Sequence, residues 1–214
     1  RHHCVQIAVS LHAGFDCRLG DHVYHDMKGF VIDQNIPHSC AAQGTSVLIY
    51  FVDAESRLGR RLKAMLRGTS VLDLEPSLFP GQRARYFALK NASLPVLRLR
   101  QLAAEILDAI VASTAPPSEP ILDRRIAGAL VWIEARLSDR LTVHDLADRL
   151  CLSPERARHL FVQHTGVPFS QFMLWNRLKR VIALTVRDGR SLTEAALSSG
   201  FADQPHFCRV FRRM

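Results

Sequence analysis

No apolar run in this 214-residue chain approaches the roughly 20 residues that a membrane-spanning helix needs, which argues against a membrane protein. The start carries no signal-peptide pattern, although the chain opens on Arg1 rather than Met and so leaves a leader open. Cysteine is scarce and unordered, with five residues at positions 4, 17, 40, 151 and 208 and no C-x-x-C spacing. An odd, scattered set excludes a disulfide framework and fits a reducing cytoplasm. What is present is a large apolar fraction, 48% of the residues, which is enough for a core and excludes global disorder. The net charge of +8 is unevenly spread. Residues 1–120 hold 13 Lys and Arg against 11 Asp and Glu, whereas residues 121–214 hold 15 against 9, an excess of +6. A basic second part points to a polyanionic partner, though charge alone does not separate nucleic acid from an anionic membrane surface.

The stretch STAPPSEP (Ser113–Pro120) has three prolines in eight residues and reads as a linker. Before it, CVQIAVSL (Cys4–Leu11), FDCRL (Phe15–Leu19), GFVIDQ (Gly29–Gln34) and SVLIYFV (Ser46–Val52) read as short strands separated by turn signals. That spacing predicts a small barrel or sandwich. From Ala54 the period becomes helical, in ESRLGRRLKAML, in a piece around Leu78–Leu89, and in PVLRLRQLAAEILDAIVA. In the last, Leu99, Leu102 and Ile106 form a seam suited either to a second copy of the chain or to the chain's own barrel. After the linker everything reads as helix, with Asp123, Thr142, Ser153, Ser191 and Asp203 as N-caps and Gly166 and Gly189 as helix ends. The expectation is an α+β chain: residues 1–112 a β-barrel with helices, 113–120 a linker, 121–214 all-α.

Sliding the second part over itself by fifty positions superposes Leu146-Ala147 on Ala196-Leu197, Ser153 on Asp203, and Phe161 on Phe211. Each copy is a short helix, a turn, a capping residue and a second helix, which makes a helix-turn-helix present twice. In the first copy Ala157, Leu160 and Phe161 are expected inward, leaving Glu155, Arg156, Arg158 and His159 available. In the second, Phe207, Val210 and Phe211 are expected inward, leaving Gln204, Pro205, His206, Arg209 and Arg212. Arg, Gln and His are donors that match base edges and phosphates, and the start of such a helix is what enters a major groove. The plain alternative is a pair of helical hairpins with solvated arginines. A connector over Pro168–Asp188, about 30 Å long as one helix, would set two reading helices roughly one DNA turn apart.

These residues carry a resemblance. Leu146-Ala147, Ser153, Phe161, Thr165-Gly166, Pro168, Phe172 and Arg177-Leu178 match, as do Gly200-Phe201, Phe207, Arg209, Phe211 and Arg212. On them, residues 121–214 resemble the DNA-binding domain of the AraC/XylS family of bacterial transcription regulators. The resemblance implies base contacts by Glu155, Arg158 and His159 and by Gln204, Pro205 and Arg209. It also implies operator duplex DNA, a small-molecule effector, a homodimer and RNA polymerase as partners, no cofactor and no enzymatic activity. Two departures stand out. His159 replaces the usual Arg with a shorter donor that lacks its fixed charge, and the family pattern runs on past Met214, so more chain is expected there.

The strand region resembles, more weakly, the cupin-like barrel that many members use as a sensor, with NIPHSC (Asn35–Cys40) similar to its Pro-His hairpin. Six of the first 38 residues are His, at 2, 3, 12, 22, 25 and 38, with Cys4, Cys17 and Cys40 among them. Imidazole and thiolate together suit zinc or copper, so His38 and Cys40 are candidate metal ligands. A cupin metalloenzyme would need H-x-H followed by Glu, whereas His22 and His25 are spaced H-x-x-H. Three readings stay open for this part: an organic-effector sensor, a metal-responsive sensor and a metalloenzyme.

Overall fold

The computed structural model describes residues 3–10, 13–75, 84, 85, 88, 96–113 and 121–213. The linker over 113–120, the helical piece around Leu78–Leu89, and His2 and His12 lie wholly or largely outside them. The chain divides into two compact units, residues 1–120 and residues 121–214.

In the first unit the described strands are β1 (Cys4–Ser10), β2 (Phe15–Leu19), β3 (His22–Met27), β4 (Gly29–Ile32), β5 (His38–Ala41), β6 (Val47–Asp53) and β7 (Val71–Asp73). Helices α1 (Arg57–Leu66) and α2 (Val96–Ser113) accompany them. The strands form two antiparallel sheets, one in the order β6-β1-β4-β7 and one in the order β3-β2-β5. β1 is buried at every position because both faces of its sheet are covered. On one face Val5, Ile7, Val9 and Val31 meet Leu62, Met65 and Leu66 of α1 and Leu102, Ile106 and Ile110 of α2. On the other, Ala8, Phe30 and Ile32 meet Phe15, Cys17, Leu19 and Met27 of the smaller sheet.

Two expectations are corrected here. The expected barrel is, among the described residues, a pair of open sheets facing each other. The physical reason lies in β3 (HVYHDM) and β5 (HSCA), polar and mostly exposed edge strands that would gain little burial from closure. The seam of Leu99, Leu102 and Ile106 faces inward, with Leu102 and Ile106 fully buried and Leu99 packed beside them. Tyr50 reinforces that contact by donating its hydroxyl to the Ala103 carbonyl at 3.1 Å. The apolar outer face of β1 needed a cover, and α2 supplies it, so these three residues offer no dimer face in this structure.

The second unit comprises α3 (Arg124–Ala135), α4 (Val143–Leu150), α5 (Pro154–Thr165), α6 (Phe169–Val186), α7 (Leu192–Ser198) and α8 (Gln204–Arg213). All five expected N-caps take that role: the side chains of Asp123, Thr142, Ser153, Ser191 and Asp203 accept from the amides of Arg125, Asp145, Arg156, Glu194 and His206. Thr142 with Asp145 and Ser191 with Glu194 form full capping boxes at the starts of α4 and α7. Thr142 donates to the Asp145 carboxylate from its hydroxyl and its amide, and both bonds hold that carboxyl below its ordinary pKa. Among the described residues no helix is long and apolar enough to cross a membrane.

Candidate nucleic-acid interface

The first helix-turn-helix is α4, a three-residue turn and α5. Leu146, Ala147 and Leu150 bury one side of α4, and its end is closed by Cys151 in the left-handed region at φ 53°. Ser153 caps α5 and Pro154 occupies its first turn, where a missing amide proton costs nothing. Ala157 and Phe161 are fully buried, with the Phe161 ring edge-on to Phe169 at 5.5 Å and to Phe172 at 5.2 Å. Leu160 is half-buried rather than inward, at the margin of the same core. The opposite side of α5 presents Glu155, Arg156, Arg158 and His159, all exposed. Glu155 holds two of them at once, accepting from Arg158 Nη1 at 3.0 Å and lying 2.9 Å from His159 Nε2. Such exposed pairs are worth less than about 1 kcal/mol, so an approaching phosphate or base edge can take Arg158 or His159 over.

The second helix-turn-helix is α7, a turn through Gly200 and α8. Ala195, Ala196 and Ser199 are fully buried, Phe201 nearly so, and the Phe207 ring packs edge-on to Phe201 at 5.4 Å. The expected outward residues divide. Pro205, Arg209 and Arg212 are exposed. Gln204 accepts from the Thr193 hydroxyl at 2.7 Å, and the His206 ring rests edge-on against Phe201 at 5.4 Å, so both tie α8 to its own motif. Phe211, expected inward, is 52% exposed. It sits one turn beyond Phe207, whose ring it meets at 5.8 Å.

The two motifs are joined by α6, 18 residues and about 27 Å at 1.5 Å per residue. Halfway along it stands a junction that sequence reasoning registered only as a family match. Arg177 donates from Nε to the Leu137 carbonyl at 2.7 Å and from Nη2 to the Asp139 carbonyl at 2.6 Å, holding the chain that leaves α3. Partial burial pulls the pKa of this guanidinium below its ordinary value, with Asp139 opposing. Gly200, at φ +87°, comes so close that a Cβ there would lie 2.9 Å from the Leu137 oxygen and 3.0 Å from Arg177 Nε. Arg177 thus holds the first motif's entry, and the second motif's turn packs closely against it at Gly200. Asn176, Lys179 and Arg180 stand beside Arg177 in the sequence, so its spacing alone did not single it out.

Among the described residues of the first unit, His38 and Cys40 join no group of three possible metal ligands drawn from His, Cys, Asp and Glu. His38 is engaged at both ring nitrogens, with the Ile36 carbonyl at 2.9 Å from Nδ1 and Gln6 Oε1 at 3.0 Å from Nε2. Cys40 is exposed on β5 opposite Cys17, whose thiol is pushed up to about 12 by burial and by Cys40 beside it. His22 rests against Tyr24, and His25 pairs with Asp16 at 3.2 Å.

Residues 146–214 match the family model described as a helix-turn-helix domain. Regulatory protein PocR of Salmonella typhimurium is 32% identical over 91 residues, covering 42% of this chain and 30% of that protein. The arabinose operon regulatory protein of Escherichia coli K12 is 30% identical over 121 residues, 56% of this chain and 40% of that protein. The chain therefore spans well under half the length of these curated relatives. Apo ToxT from Vibrio cholerae has a similar fold, with a TM-score of 0.64 over 99% of this chain and 85% of that one at 12% identity. A ToxT structure with an unsaturated fatty acid bound gives 0.59 over 98% of this chain and 83% of that one, also at 12% identity. Residues 146–214 carry a helix-turn-helix domain, and over its second unit the chain is similar to transcription regulators of the AraC/XylS type.

Proposed function

We propose that this chain is a sequence-specific transcription regulator in which residues 121–214 read operator DNA and residues 1–112 sense a small ligand and support dimerisation. The observation that carries the reading is the pair of similarly built helix-turn-helix motifs in one unit, both presenting exposed cationic side chains in the part of the chain with the +6 excess. The α6 strut of about 27 Å is comparable to one DNA turn of about 34 Å. On this reading Glu155, Arg156, Arg158 and His159 meet one major groove, and Pro205, Arg209 and Arg212 meet the next, with Gln204 and His206 at its margin. An apolar effector suits the first unit, whose facing sheets are lined by Phe15, Leu19, Met27, Phe30 and Ile32. The fatty acid held by ToxT, a protein of similar fold, supports that class of ligand. We take the facing sheets as an open-edged variant of the cupin-like barrel.

The deciding experiment is a duplex titration across about 50–200 mM salt. Lys and Arg displace counterions from phosphates, so log K should fall linearly with log salt, by about 0.9 per phosphate neutralised. A flat line would remove nucleic acid from the reading.

Within that interface Arg209 should carry sequence information and Arg212 mainly affinity. Arg209 lies four positions after Pro205 on one face of α8, within reach of a guanine edge. Arg212 is further from the helix start and better placed for a phosphate, a contact blind to sequence. With a duplex selected from a random library by the protein itself, Arg209→Ala should cost roughly 1–3 kcal/mol there and far less on random DNA. Arg212→Ala should weaken both by similar factors. Equal losses for Arg209→Ala on the two duplexes would overturn its assignment as a base reader.

A further inference from the structure

The three-stranded sheet β3-β2-β5 carries one sulfur side chain on each strand, and the regulator reading uses none of them. Cys17 stands on the middle strand, where Phe15, Cys17 and Leu19 alternate inward and Asp16 and Arg18 outward. On the β5 side its cross-strand partner is Cys40, and residues paired directly across a ladder put their side chains on the same face. On the β3 side the ladder pairs Phe15 with Met27 and shifts register before Cys17. Asp26 marks that shift, in the left-handed region at φ 54°, with its amide donating to Asp16 Oδ1 at 3.2 Å. A bulge re-aims a neighbouring side chain, and Met27 turns inward as the one buried residue of its strand.

The outcome is a stripe of sulfur across the sheet. The Cys17 thiol donates to Met27 Sδ at 3.2 Å and lies within hydrogen-bonding reach of the Cys40 thiol. Cys17 and Met27 are 4% and 6% exposed, among Phe15, Leu19 and Phe30. Cys40 is the exposed member, on an edge strand, so the stripe opens to solvent at one end. Both cysteines are free thiols.

Two thiols and a thioether are donors of one chemical type, and soft sulfur ligands of this kind select Cu(I). Zinc draws four donors from thiolate, imidazole and carboxylate, a set without a thioether. The ion needs no separate chamber, because it takes the place of the thiol protons, which are released as it binds. With metal–sulfur bonds of about 2.3 Å, three sulfurs around one ion stand about 4 Å apart. The 3.2 Å spacing of Cys17 and Met27 then widens by less than about 1 Å. An unbranched methionine with three rotatable bonds absorbs such a shift readily. We infer that Cys17, Met27 and Cys40 form a binding site for Cu(I) that ties together the three strands of the smaller sheet. The site leaves out His38, whose ring nitrogens are engaged with Ile36 and Gln6, and it is independent of the DNA-binding reading.

The full chain, reduced and then freed of reductant under anaerobic conditions, is titrated with Cu(I) against a chromophoric Cu(I) chelator, which outcompetes lone thiols. Wild type should withdraw about one equivalent from the chelator and develop the ultraviolet charge-transfer absorption of a copper thiolate. Loss of a direct ligand should weaken retention by more than the ~10–100-fold seen when supporting groups are lost, in Cys17→Ser and Cys40→Ser alike. Met27→Leu, which removes the weaker thioether donor, should weaken it by about 10-fold. Cys151→Ser, which removes an exposed thiol from the other unit, should leave retention unchanged. Circular dichroism checks folding. If Cys17→Ser does not fold, Cys40→Ser at its exposed site and the volume-conserving Met27→Leu decide. A wild-type chain that leaves all the copper with the chelator would show that the stripe is ordinary packing, and the site would be discarded. Retention that survives both Cys40→Ser and Met27→Leu, or that an equal concentration of Zn2+ abolishes, would overturn it equally. DNA titrations without copper on the same samples keep this outcome separate from the regulator reading.

Discussion

Phe161→Ala should destabilise the second unit by about 3–5 kcal/mol, the largest effect expected of any single truncation there. Its ring is fully buried and is the point where α3, α4, α5 and α6 meet: Ile126, Ile133, Leu146, Leu150, Phe169, Phe172 and Met173 share its cluster. Removing the ring leaves a cavity among large side chains that cannot all collapse inward, and it also forfeits two edge-on aromatic pairs worth about 0.5–1.5 kcal/mol each. Against a typical domain stability of about 5–15 kcal/mol, that is roughly a fifth or more of the total. The readout is specific to this unit, because the chain's two tryptophans, Trp132 and Trp175, both lie in it. Urea unfolding followed by tryptophan fluorescence should show the loss, and Leu160→Ala, at a half-buried site, should cost clearly less. If the two substitutions cost the same, the core is not organised around Phe161. Since α5 carries Glu155, Arg158 and His159, DNA affinity should fall with stability even though Phe161 faces away from them.

The helical unit was nearly legible in its sequence because helix ends are written in local chemistry. A Ser, Thr or Asp side chain accepts an amide two or three residues on, and all five expected caps do so with no help from distant parts of the chain. What escaped was long-range. Gln204 and His206 looked outward from their positions on α8, but Thr193 and Phe201 hold them. Arg177 is forty positions from Leu137, and nothing in the spacing announces that its guanidinium serves that carbonyl.

The strand unit was less legible for the same reason. β3, β5 and β7 have no alternating apolar pattern, because they sit at sheet edges where neither face is fully covered. Whether a sheet closes depends on which edges meet, and the strand sequences do not encode that. The stripe of Leu99, Leu102 and Ile106 has one period whether it covers its own sheet or a second copy, so only the exposed need of Val5, Ile7 and Val9 settles it. His3 is some fifty residues from Asp53, and only the β1–β6 register brings the two together.

Gly200→Ala should cost the second unit roughly 3 kcal/mol, whereas Gly189→Ala should cost only about 1 kcal/mol. Both glycines lie in the left-handed region, at φ +87° and +66°, so an alanine at either pays the backbone strain of that conformation. They differ in what surrounds them. A Cβ at Gly189 meets nothing within 4 Å, while one at Gly200 meets the Leu137 oxygen at 2.9 Å and Arg177 Nε at 3.0 Å. Neither neighbour can yield cheaply: the oxygen is backbone, and the guanidinium is fixed by its bonds to Leu137 and Asp139. Displacing it would weaken charge-assisted bonds worth about 1.5–3 kcal/mol each. The difference between the two substitutions therefore isolates the junction that joins the motifs, with the shared strain cancelling. Tryptophan-monitored unfolding in urea gives both numbers on the same chain. A second comparison sharpens the test, since in an Arg177→Met background the side chain can move aside and the excess cost of Gly200→Ala should shrink. Equal costs at Gly189 and Gly200 in the native background would mean that the turn of the second motif is not braced by Arg177, and that the two reading helices are held in register by α6 alone.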